Sequence, residues 1–415
     1  MARLWCISAP LFSHTDWGGF SKTALALQAR GHQVTWISEN GIAGALAAVG
    51  IPFAPIRQTG WLWNQPPLPD PKTLAPQEAM LLRYRRALDT WMSEDLVAAG
   101  VEALIELADQ IGKPDAIITD PFLTAAALAA ERIGVPLVVS GWCATRDLDE
   151  DALYYVQKVL ARESIERMER LYERFGLTGV NFASGATPSI LSPHLHLSYF
   201  NAEWYQADAD NLLPQTLFVG GTPDQPTDAP PAWLTQIPPD APIALITFGT
   251  TFAGDIGWFA GAAQAAARAG LIPVVVIGWT TYSPEDKDAL KAALPKTTRL
   301  LNWVSFPHIL PRTRLIIHHG GMGTTHAALV YGVPQLIIPY AADQQGQARR
   351  AAQAKVGIKL SAHEVRQGLL GQGVRALAYD APVLATARRF AADLAALGGA
   401  DRAAQAVEAV VGIGL

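Results

Sequence analysis

Residues 316–349 of this chain, IIHHGGMGTTHAALVYGVPQLIIPYAADQQGQAR, carry the pattern that decides the fold. An apolar strand leads into a glycine-rich turn at residues 318–325, a helix follows, and a second apolar strand comes at residues 335–338. Glycines between a strand and a helix let the backbone approach a ligand closely, and the start of the helix offers unpaired N–H groups and a partial positive charge to a phosphate. The stretch therefore predicts a phosphate site at a strand–turn–helix junction.

Side chains in the same stretch extend this site beyond a phosphate. His319 supplies a further donor beside the turn, and Asp343 and Gln344 can bind neutral hydroxyl groups. A phosphate at one end and a polyol at the other describe a nucleotide-sugar. An ordinary strand–turn–helix of a doubly wound domain would explain the glycines, but it would explain neither the paired histidines nor the Asp-Gln pair.

The composition limits the class of protein. With 415 residues the chain is too long for a single core, and half of its residues are apolar, as in a helix-rich α/β protein. A net charge of −5 and an isoelectric point near 6.0 argue against a nucleic-acid-binding surface. Cys6 and Cys143 are predicted to be buried free thiols in a reducing compartment, and no Cys/His cluster has zinc spacing.

Hydropathy favours a cytoplasmic protein. The apolar run in residues 1–12 is too short for a signal peptide and predicts a first strand, and no run of 18 or more apolar residues predicts a spanning helix. Residues 71–113 and 147–175 are amphipathic, with Arg and Glu interleaved, and they predict helical excursions from the sheet. Solvated helices that cover the sheet are the plain interpretation, and a peripheral membrane contact is the other one that composition leaves open.

Strand and helix patterns alternate on both sides of a proline-rich segment. Residues 222–242 contain seven prolines, which exclude a regular helix or a central strand, so the segment is predicted to be a linker. The alternation predicts parallel sheets covered by helices. The predicted fold class is α/β with two doubly wound, Rossmann-like domains at residues 1–221 and 243–395. A C-terminal helix at residues 396–415 follows, for which a return to the N-terminal domain is one arrangement.

Several elements are predicted with their limits. Residues 33–38, 116–119 and 243–247 are short apolar runs between turn signals and predict buried strands. Ser283 before Pro284 predicts the start of one helix, and Ser361 with Glu364 predicts the capping box of another, because both patterns satisfy N–H groups that a helix start leaves unpaired.

The order of residues in the opening stretch resembles the donor signature of the inverting, metal-independent glycosyltransferases with the GT-B fold. This family includes plant secondary-product glucosyltransferases, glucuronosyltransferases and bacterial macrolide, sterol and glycopeptide glycosyltransferases. The bacterial form HHGGxGTT…GVPQ…P…DQ is reproduced almost letter for letter. The resemblance implies two domains that face each other across a cleft, with the acceptor bound by the N-terminal domain. It also implies that residues 71–113 and 147–175 supply walls of the acceptor site.

Two further matches in the N-terminal domain concern catalysis. Inverting transfer needs a base for the acceptor hydroxyl, and a histidine backed by a carboxylate suits this task because its pKa lies near neutrality. Residues 8–14, SAPLFSH, resemble the family's strand followed by a histidine, and residues 116–122, AIITDPF, resemble its strand that ends in an aspartate. The resemblance implies His14 as general base and Asp120 as its partner.

The register of the base is open between two residues. Counting back without a gap from residues 27–32, which resemble the family's LxARGH, places Asp16 at the base position, and some relatives carry Asp there. His14 requires a two-residue insertion within residues 15–20, which Trp17 and the two glycines after it would accommodate.

The same resemblance assigns the donor contacts in the C-terminal domain. Residues 247–251, TFGTT, resemble the family's SFGS, whose backbone approaches the donor phosphates. Residues 302–304, NWV, resemble the element that receives the nucleobase, although the Pro-Gln after it is replaced, and a core aromatic is the alternative for Trp303. His318 is interpreted as a packed neighbour of the phosphate-binding histidine. The implied donor-binding residues are Gly249, Thr250, Trp303, Val304, His319, Gly321, Gly323, Thr324, Asp343 and Gln344.

Two absences bear on the donor and on metal. The plant signature has a Glu that holds both ribose hydroxyls, and Ala327 stands at that position, so UDP-sugar and dTDP-sugar donors are both compatible. No acidic D-x-D pair stands near the donor stretch, because residues 147–149 and 208–210 belong to the other predicted domain. The resemblance therefore implies no metal ion and no cofactor, with the nucleotide-sugar as co-substrate.

The leading hypothesis is transfer of a hexose from a UDP- or dTDP-sugar to a hydroxyl of an apolar small-molecule or lipid-like acceptor. Tryptophans of the N-terminal domain, namely Trp17, Trp61, Trp63 and Trp142, can furnish an apolar acceptor pocket, although such residues are more often ordinary core. Two alternatives stay open: an inactive nucleotide-sugar-binding partner subunit of a true glycosyltransferase, and a nucleotide-sugar epimerase.

Overall fold

The computed structural model describes residues 1–11, 15, 18–62, 65, 69, 73–147, 155–226, 228–249, 256–278, 282–340 and 343–412, with the backbone alone at residues 155–157. The chain forms two compact units. The first unit contains Met1–Tyr199, Asp208–Val219 and Gly398–Leu415, and the second contains Phe200–Ala207 and Gly220–Leu397. The short segment Phe200–Ala207 therefore belongs to the second unit although its neighbours in the sequence belong to the first.

Seven parallel strands form the sheet of the first unit: β1 (Arg3–Ile7), β2 (Gln33–Ser38), β3 (Phe53–Pro55), β4 (Ala116–Thr119), β5 (Leu137–Ser140), β6 (Leu195–Ser198) and β7 (Thr216–Phe218). Their order across the sheet is β3-β2-β1-β4-β5-β6-β7. Every residue of β4 and β5 is buried, because a parallel sheet of this kind is covered by helices on both faces.

In the described residues before Phe200, the α-helices of the first unit are α1 (Phe20–Ala29), α2 (Ala43–Ala48), α3 (Pro76–Met92), α4 (Glu94–Ile111), α5 (Thr124–Ile133) and α6 (Tyr155–Phe175). The helices α3, α4 and α6 lie in the two amphipathic stretches, so the predicted helical excursions are confirmed. The helix α5 is rich in alanine and buried over its first seven residues, which lets it lie close between the sheet and α4.

Six parallel strands form the sheet of the second unit: β8 (Ile243–Thr247), β9 (Ile272–Val276), β10 (Arg299–Leu301), β11 (Thr313–His318), β12 (Gln335–Ile337) and β13 (Gly357–Lys359). Their order is β10-β9-β8-β11-β12-β13. Its helices are α7 (Ala232–Thr235), α8 (Gly257–Arg268), α9 (Pro284–Ala293), α10 (Phe306–Ile309), α11 (Met322–Val330), α12 (Gln344–Gln353), α13 (Ala362–Arg366), α14 (Leu370–Tyr379) and α15 (Ala381–Ala396).

Both sheets reverse their order between the first and the fourth strand of the unit. In the first unit β1 lies beside β4, with Ile7 paired to Thr119, and in the second β8 lies beside β11, with Thr247 paired to His318. Connections leave such a pair of strands in opposite directions, so a crevice forms at their carboxyl ends, and ligands of doubly wound sheets bind there. The predicted α/β class with two doubly wound domains is confirmed.

The predicted start signals of two helices are confirmed by their hydrogen bonds. The Ser283 hydroxyl accepts the Asp286 N–H at 3.0 Å at the start of α9. At the start of α13, Ser361 and Glu364 form both bonds of a capping box.

The predicted linker at residues 222–242 departs from expectation in one respect, because the single helical turn α7 lies within it. This turn begins directly after Pro231, where a proline removes no hydrogen bond since the first N–H groups of a helix are unpaired anyway. The prolines therefore exclude a longer helix but not one turn.

The last helix, α16 (Gly399–Val410), packs against α1 in the first unit, and an ion-pair cluster of Arg30, His32 and Glu408 joins the two. Glu408 accepts two hydrogen bonds from the Arg30 guanidinium, at 2.9 and 2.6 Å, and lies 2.9 Å from Nε2 of His32. Nδ1 of His32 accepts the Ala2 N–H at 3.1 Å, so Nε2 carries the proton and donates to Glu408. Hydrogen bonds from Arg30 and then from His32 lower the pKa of Glu408 to about 2.

We expect Glu408→Gln to loosen α16 while leaving the rest of the fold intact. Loss of the ion pair should lower the free energy of unfolding by up to about 1 kcal/mol near pH 7, because solvent screens a pair with an exposed partner. Because the pKa of Glu408 is depressed in the folded state, the contribution is complete above the unfolded pKa of about 4.5 and is lost as the pH falls toward 2. The difference between wild type and variant should therefore shrink below pH 4.5.

Hydrogen–deuterium exchange of residues 399–410, followed alongside urea unfolding, measures this effect locally. Glu173→Gln, which changes an exposed carboxylate on α6, is the matched control and should leave exchange in α16 unchanged. Equal protection of α16 in wild type and Glu408→Gln at pH 7 would show that the cluster does not hold the helix.

Candidate functional site

Asp120 lies directly after β4, at the point where the first sheet reverses its order. The residue is fully buried, and its carboxylate accepts the Ala9 N–H on Oδ2 and the Phe122 N–H on Oδ1, each at 2.8 Å. Such donors are needed because a buried carboxylate without hydrogen-bond partners is very costly. One carboxylate thus joins the loop after β1 to the loop after β4.

The start of the loop after β1 is fixed by buried polar contacts. Nε1 of Trp36 donates to the Ser8 hydroxyl at 3.0 Å, and the Ser38 hydroxyl donates to the Ser8 carbonyl at 2.8 Å. His14 and Asp16, the two candidates for the base, belong to this loop and lie outside the described residues. The described residues next to this segment are those at its two ends, together with Asp120.

The end of the same loop is fixed by an aromatic ring. Tyr199 packs on Gly19 so closely that a Cβ at this glycine would lie 2.7 Å from Cδ1 of the ring. The Tyr199 hydroxyl lies 2.7 Å from the Thr23 hydroxyl in α1 and 2.9 Å from the Ser140 hydroxyl in β5. Tyr199 is a positioning residue for this loop that the sequence did not reveal, because its partners are distant along the chain.

A cavity of about 370 Å³ lies in the first unit and begins at the residues that follow Asp120. Pro121 and Phe122 line it together with residues of α3, of α6 and of the segment 187–191. Among the described residues that line it, none carries a charge. Because α3 and α6 form its walls, these helices do more than cover the sheet.

The structure sorts the tryptophans that the sequence offered for an acceptor pocket. Trp142 lines the cavity, whereas Trp61 packs against the hydrophobic core of the unit. Trp17 and Trp63 lie outside the described residues. Trp91 also lines the cavity, and nothing but its position on an amphipathic helix marked it in the sequence.

An ion-pair network holds α3 against α6, the two helices that line the cavity. Arg167 of α6 lies 2.8 Å from Asp89 of α3 and 2.7 Å from Glu163, and it donates to the Met92 carbonyl at 2.9 Å. Glu163 in turn accepts from Arg85 of α3 at 3.0 Å. The wall is therefore built from two helices cross-linked at three points.

In the second unit His319 lies between two glycine backbones. A Cβ at Gly249, which follows β8 with a φ of +88°, would lie 2.8 Å from Cε1 of the imidazole. A Cβ at Gly321 would lie 2.5 Å from its Nε2. Burial lowers the pKa of His319 to about 4, so the ring is neutral at pH 7. The histidine that the sequence predicted as a hydrogen-bond donor to a phosphate is therefore, in the structure, a neutral imidazole that packs against glycines.

His318 is the packed neighbour that the sequence indicated. Its side chain is fully buried, its Nδ1 accepts the Gly320 N–H at 3.2 Å, and its Nε2 lies 3.0 Å from Oε1 of Gln335. Since Nδ1 is an acceptor, Nε2 carries the proton and donates to Gln335. Burial and then the neighbouring His319 lower its pKa to about 3, which keeps it neutral. His318 shapes the turn at the end of β11.

The glycine-rich turn ends at the N-terminus of α11, as the sequence predicted. Gly321 is the residue before the helix, no side chain caps it, and Thr324 is partly exposed. Gly323 is exposed, and a Cβ on it would meet nothing within 4 Å, so the first turn opens to the outside. Its N–H groups remain available to an anion. Thr250 of the neighbouring loop lies outside the described residues.

Asp343 and Gln344 begin α12, after β12. Burial raises the pKa of Asp343 to about 6, so it is mostly ionised at pH 7 and can accept hydrogen bonds from hydroxyl groups. Oε1 of Gln344 accepts the Tyr340 N–H at 2.8 Å, and the NH₂ group of the same amide is a hydrogen-bond donor. The two side chains therefore supply a hydrogen-bond acceptor and a hydrogen-bond donor after β12, the strand next to β11.

The segment that resembles the family's nucleobase-binding element, residues 302–304, has one residue on the surface and one in the core. Trp303 follows β10 and is 56% exposed, so the core alternative for this tryptophan is wrong. Val304 is 7% exposed, and its side chain packs in a core with Leu245 and Ile316, so a donor contact from this residue would come from its backbone. Ala327, which stands in place of the plant family's Glu, is partly buried on α11.

Three other expectations concern thiols, metal and membrane. Cys6 and Cys143 are buried and free, as predicted, and burial raises the pKa of the Cys6 thiol. Among the described residues, no group of three or more His, Cys, Asp or Glu side chains is arranged to hold a metal ion. Every helix in that part of the chain is too short or too polar to span a bilayer.

Comparison with known proteins finds similarity to glycosyltransferases in sequence and in fold. Residues 275–410 match the family of the erythromycin biosynthesis protein CIII-like C-terminal domain. The oleandomycin glycosyltransferase of Streptomyces antibioticus is 28% identical over 408 residues, which cover 92% of this chain and 85% of that protein.

Two solved structures extend the likeness over almost the whole chain. The glycotransferase of kitacinnamycin superimposes with a TM-score of 0.77 at 21% identity and covers 99% of this chain and 100% of that one. The spinosyn rhamnosyltransferase SpnG, complexed with thymidine diphosphate, superimposes with a TM-score of 0.69 at 21% identity and covers 98% of this chain and 100% of that one. These likenesses show a shared fold.

The packing of His319 predicts that Gly321→Ala disrupts nucleotide binding. The added methyl group must displace the imidazole, and loss of one hydrogen bond to a charged phosphate should weaken binding of UDP or dTDP by about ten- to a hundredfold. Calorimetry measures the dissociation constant directly.

Gly261→Ala is the matched control for this substitution. Gly261 lies inside α8, where a Cβ meets nothing within 4 Å, so the same chemical change in the same unit should leave nucleotide binding within about twofold of wild type. Unchanged binding in Gly321→Ala would mean that His319 does not contact the diphosphate.

Proposed function

We propose a defined reaction for this chain, which belongs to the GT-B glycosyltransferases that act in antibiotic and natural-product glycosylation. It transfers a hexose from a UDP- or dTDP-sugar to a hydroxyl of an apolar acceptor, with inversion at the anomeric carbon and without a metal ion. The observation that carries this proposal is Asp120, a buried carboxylate at the switch point of the first sheet that directly precedes an uncharged cavity.

In the second unit the donor is bound at the carboxyl ends of β8, β11 and β12, around the point where the sheet reverses its order. The N-terminus of α11 and the neutral imidazole of His319 bind the diphosphate, and they also stabilise the negative charge that grows on it as it departs. Asp343 accepts hydrogen bonds from sugar hydroxyls and Gln344 donates to them. The exposed ring of Trp303 stacks on the nucleobase, because flat aromatic surfaces bind bases well. No step of this scheme calls for a metal ion.

The acceptor lies in the cavity of the first unit, where its hydroxyl is deprotonated as it attacks. His14 takes this proton, and Asp120 fixes the orientation of the imidazole and stabilises the imidazolium. The carboxylate suits this task, since two of its oxygen lone pairs are already held by the Ala9 and Phe122 N–H groups. Attack from the face opposite the diphosphate inverts the anomeric centre.

A thymidine nucleotide is as compatible with this site as a uridine nucleotide. Ala327 lacks the carboxylate that would hold both ribose hydroxyls, so the site has no means at this position to prefer ribose over deoxyribose. The structural relative SpnG, which has the same fold, is complexed with thymidine diphosphate. The free thiols of Cys6 and Cys143 are consistent with action in the reducing cytoplasm.

The proposal predicts transfer that survives metal removal. Incubation with UDP-glucose or dTDP-glucose and a library of hydroxylated acceptors, in EDTA, should give products heavier by one hexose in mass spectrometry. NMR of the product should show the anomeric configuration opposite to that of the donor. Loss of activity in EDTA with recovery in magnesium or manganese would contradict the metal-independent class.

The same assay separates the two alternative functions. An inactive partner subunit would bind the nucleotide but neither transfer nor hydrolyse the donor, and an epimerase would change the sugar of the donor without an acceptor.

Replacement of the base resolves the register of the loop after β1. His14→Ala should lower turnover by about two to four orders of magnitude, the usual contribution of a general base, and should hardly change donor affinity. Asp120→Asn should give a smaller loss, because the imidazole is then unoriented. The rate of the wild type should fall as the pH drops through the pKa of the histidine.

Asp16→Ala is the matched comparison, since Asp16 is the other candidate on the same loop. If Asp16→Ala abolishes turnover while His14→Ala retains it, then Asp16 is the base. Acceptors that carry a thiol or an acidic phenol need less deprotonation and should be partly spared in whichever variant lacks the base.

A further inference from the structure

We propose that the acceptor is an uncharged, planar polycyclic aromatic compound and that a row of three rings, Trp91, Phe122 and Trp142, binds it. The proposal rests on the proposed function only in assigning the cavity of the first unit to the acceptor. Its content is the chemistry of the acceptor, which follows from the lining of that cavity.

The three rings form a continuous row along the cavity. The centroids of Trp91 and Phe122 are 5.5 Å apart with the ring planes at 43°, and those of Phe122 and Trp142 are 5.9 Å apart with the planes at 63°. Both distances lie in the range of favourable edge and face contacts between aromatic rings. An aromatic ligand can make edge or face contacts of the same kind with these rings, whereas a saturated ring has no π surface for them.

Each of the three rings remains partly exposed, while other side chains of the same cavity are packed away. Met92 is 4% exposed and Cys143 is 2% exposed. The aromatic rings therefore remain accessible to a ligand, whereas these two side chains offer it little surface. Rings of this kind also lose little conformational entropy on binding, because they have only two rotatable side-chain bonds.

The lining offers hydroxyl groups and no charge. Among its described residues the polar side chains are Thr124, Thr145, Ser164, Thr187 and Ser189 together with a tyrosine. Hydroxyl groups can bind the phenol and quinone oxygens of a ring system. A carboxylate or an ammonium group on the acceptor would lose its hydration here without gaining a partner, which is costly. The volume of about 370 Å³ is that of a site for a small organic molecule.

The walls of the cavity are held in place before a ligand binds. Arg167 cross-links α3 and α6 through Asp89 and Glu163. On the opposite side, Asp147 accepts both the N–H and the hydroxyl of Thr187, which fixes the segment that carries Ser189. Walls that are fixed in this way lose little conformational freedom when a rigid ligand binds.

The row of rings is linked to Asp120 through the backbone. The Asp120 carboxylate accepts the Phe122 N–H at 2.8 Å, so the residue that carries the middle ring is held beside the proposed catalytic carboxylate. An acceptor bound in this cavity therefore lies close to the residues proposed for catalysis.

Direct binding, measured without donor, tests this inference independently of transfer. We expect a hydroxymethyl-bearing dihydroxyanthraquinone to bind the full-length wild-type chain saturably in calorimetry and to quench tryptophan fluorescence. Trp91→Leu, Phe122→Leu and Trp142→Leu should each weaken this binding by about two- to twelvefold, the effect of losing one aromatic contact. Trp91→Phe and Trp142→Phe, which keep a ring, should restore most of it even if a leucine variant folds poorly.

Trp61→Leu is the matched control, because Trp61 packs against the same core but does not line the cavity. It should bind the anthraquinone within about twofold of wild type. The carboxylate analogue of the same anthraquinone should bind at least about tenfold more weakly, since the scaffold is unchanged and only a charge is added. Equal binding of the charged and neutral analogues would overturn the inference about charge.

A saturated macrolactone of similar heavy-atom count distinguishes the two levels of the proposal. If the chain glycosylates or binds the macrolactone at least as well as the anthraquinone, the aromatic acceptor class is wrong while the glycosyltransferase proposal stands. If the anthraquinone binds through the three rings but no sugar is transferred to any acceptor, the aromatic site stands and the proposed reaction fails. Absence of anthraquinone binding in the folded wild type would overturn the inference outright.

Discussion

The two central strands of each sheet send their connections in opposite directions, and this constraint underlies everything else in the molecule. Between β1 and β4, and again between β8 and β11, the carboxyl ends of neighbouring strands cannot be covered by the chain's own crossovers. The loops that leave these ends must therefore be stabilised by other means. The first unit uses a buried carboxylate and the second uses close glycine packing, and the two solutions equip the units for different chemistry.

In the first unit the constraint is met by Asp120. Its two oxygens satisfy N–H groups of two different loops, so removing the carboxylate would leave Ala9 and Phe122 with unpaired buried donors at about 1–3 kcal/mol each. A buried carboxylate at this position therefore has a structural task as well as the proposed catalytic one. Asp120→Asn retains an acceptor oxygen for one of the two loops, and for this reason it separates the tasks better than alanine would.

In the second unit the loops at the strand ends are stabilised by close packing of glycines, which have no side chain. Gly249 and Gly321 both lie against the Cε1 and Nε2 atoms of the His319 ring, closer than a Cβ would permit. The cost of glycine is the entropy that it loses on folding, and the gain is backbone close enough to reach a ligand. The same residues that carry the resemblance to the glycosyltransferase signature are thus the ones that the local packing requires.

The local sequence was sufficient to predict strands that are buried on both faces of a sheet. The predicted limits of β2, β4 and β8 agree with the structure because a short, wholly apolar run between turn signals has little other use in an α/β protein. The segment Phe200–Ala207 shows where such reasoning ends. Its Trp204 donates to Gln347, 143 residues away, and no local signal reports a partner at that distance.

The exposure of individual side chains was likewise beyond the sequence. Nothing in the local sequence tells Trp303 and Trp61 apart in exposure, yet Trp303 is 56% exposed and Trp61 packs against a hydrophobic core. The cavity depended on this kind of information, because its aromatic row is assembled from α3, from the loop after β4 and from the loop after β5. Residues of one motif can be recognised together, whereas residues of three elements become a site only through the fold.

The neutrality of His319 changes how the charge of a diphosphate is balanced. A permanent cation at this buried position would be unpaired whenever the donor is absent, and that state is costly. The partial positive charge at the start of α11 carries no such penalty, because it belongs to the backbone. In the proposed reaction, the negative charge of a bound diphosphate would raise the pKa of the imidazole from about 4, so the ring would gain positive charge only in the presence of its counter-charge. The same effect would grow as the bond between the sugar and the diphosphate breaks, so the stabilisation would be greatest in the transition state, where it would accelerate the reaction.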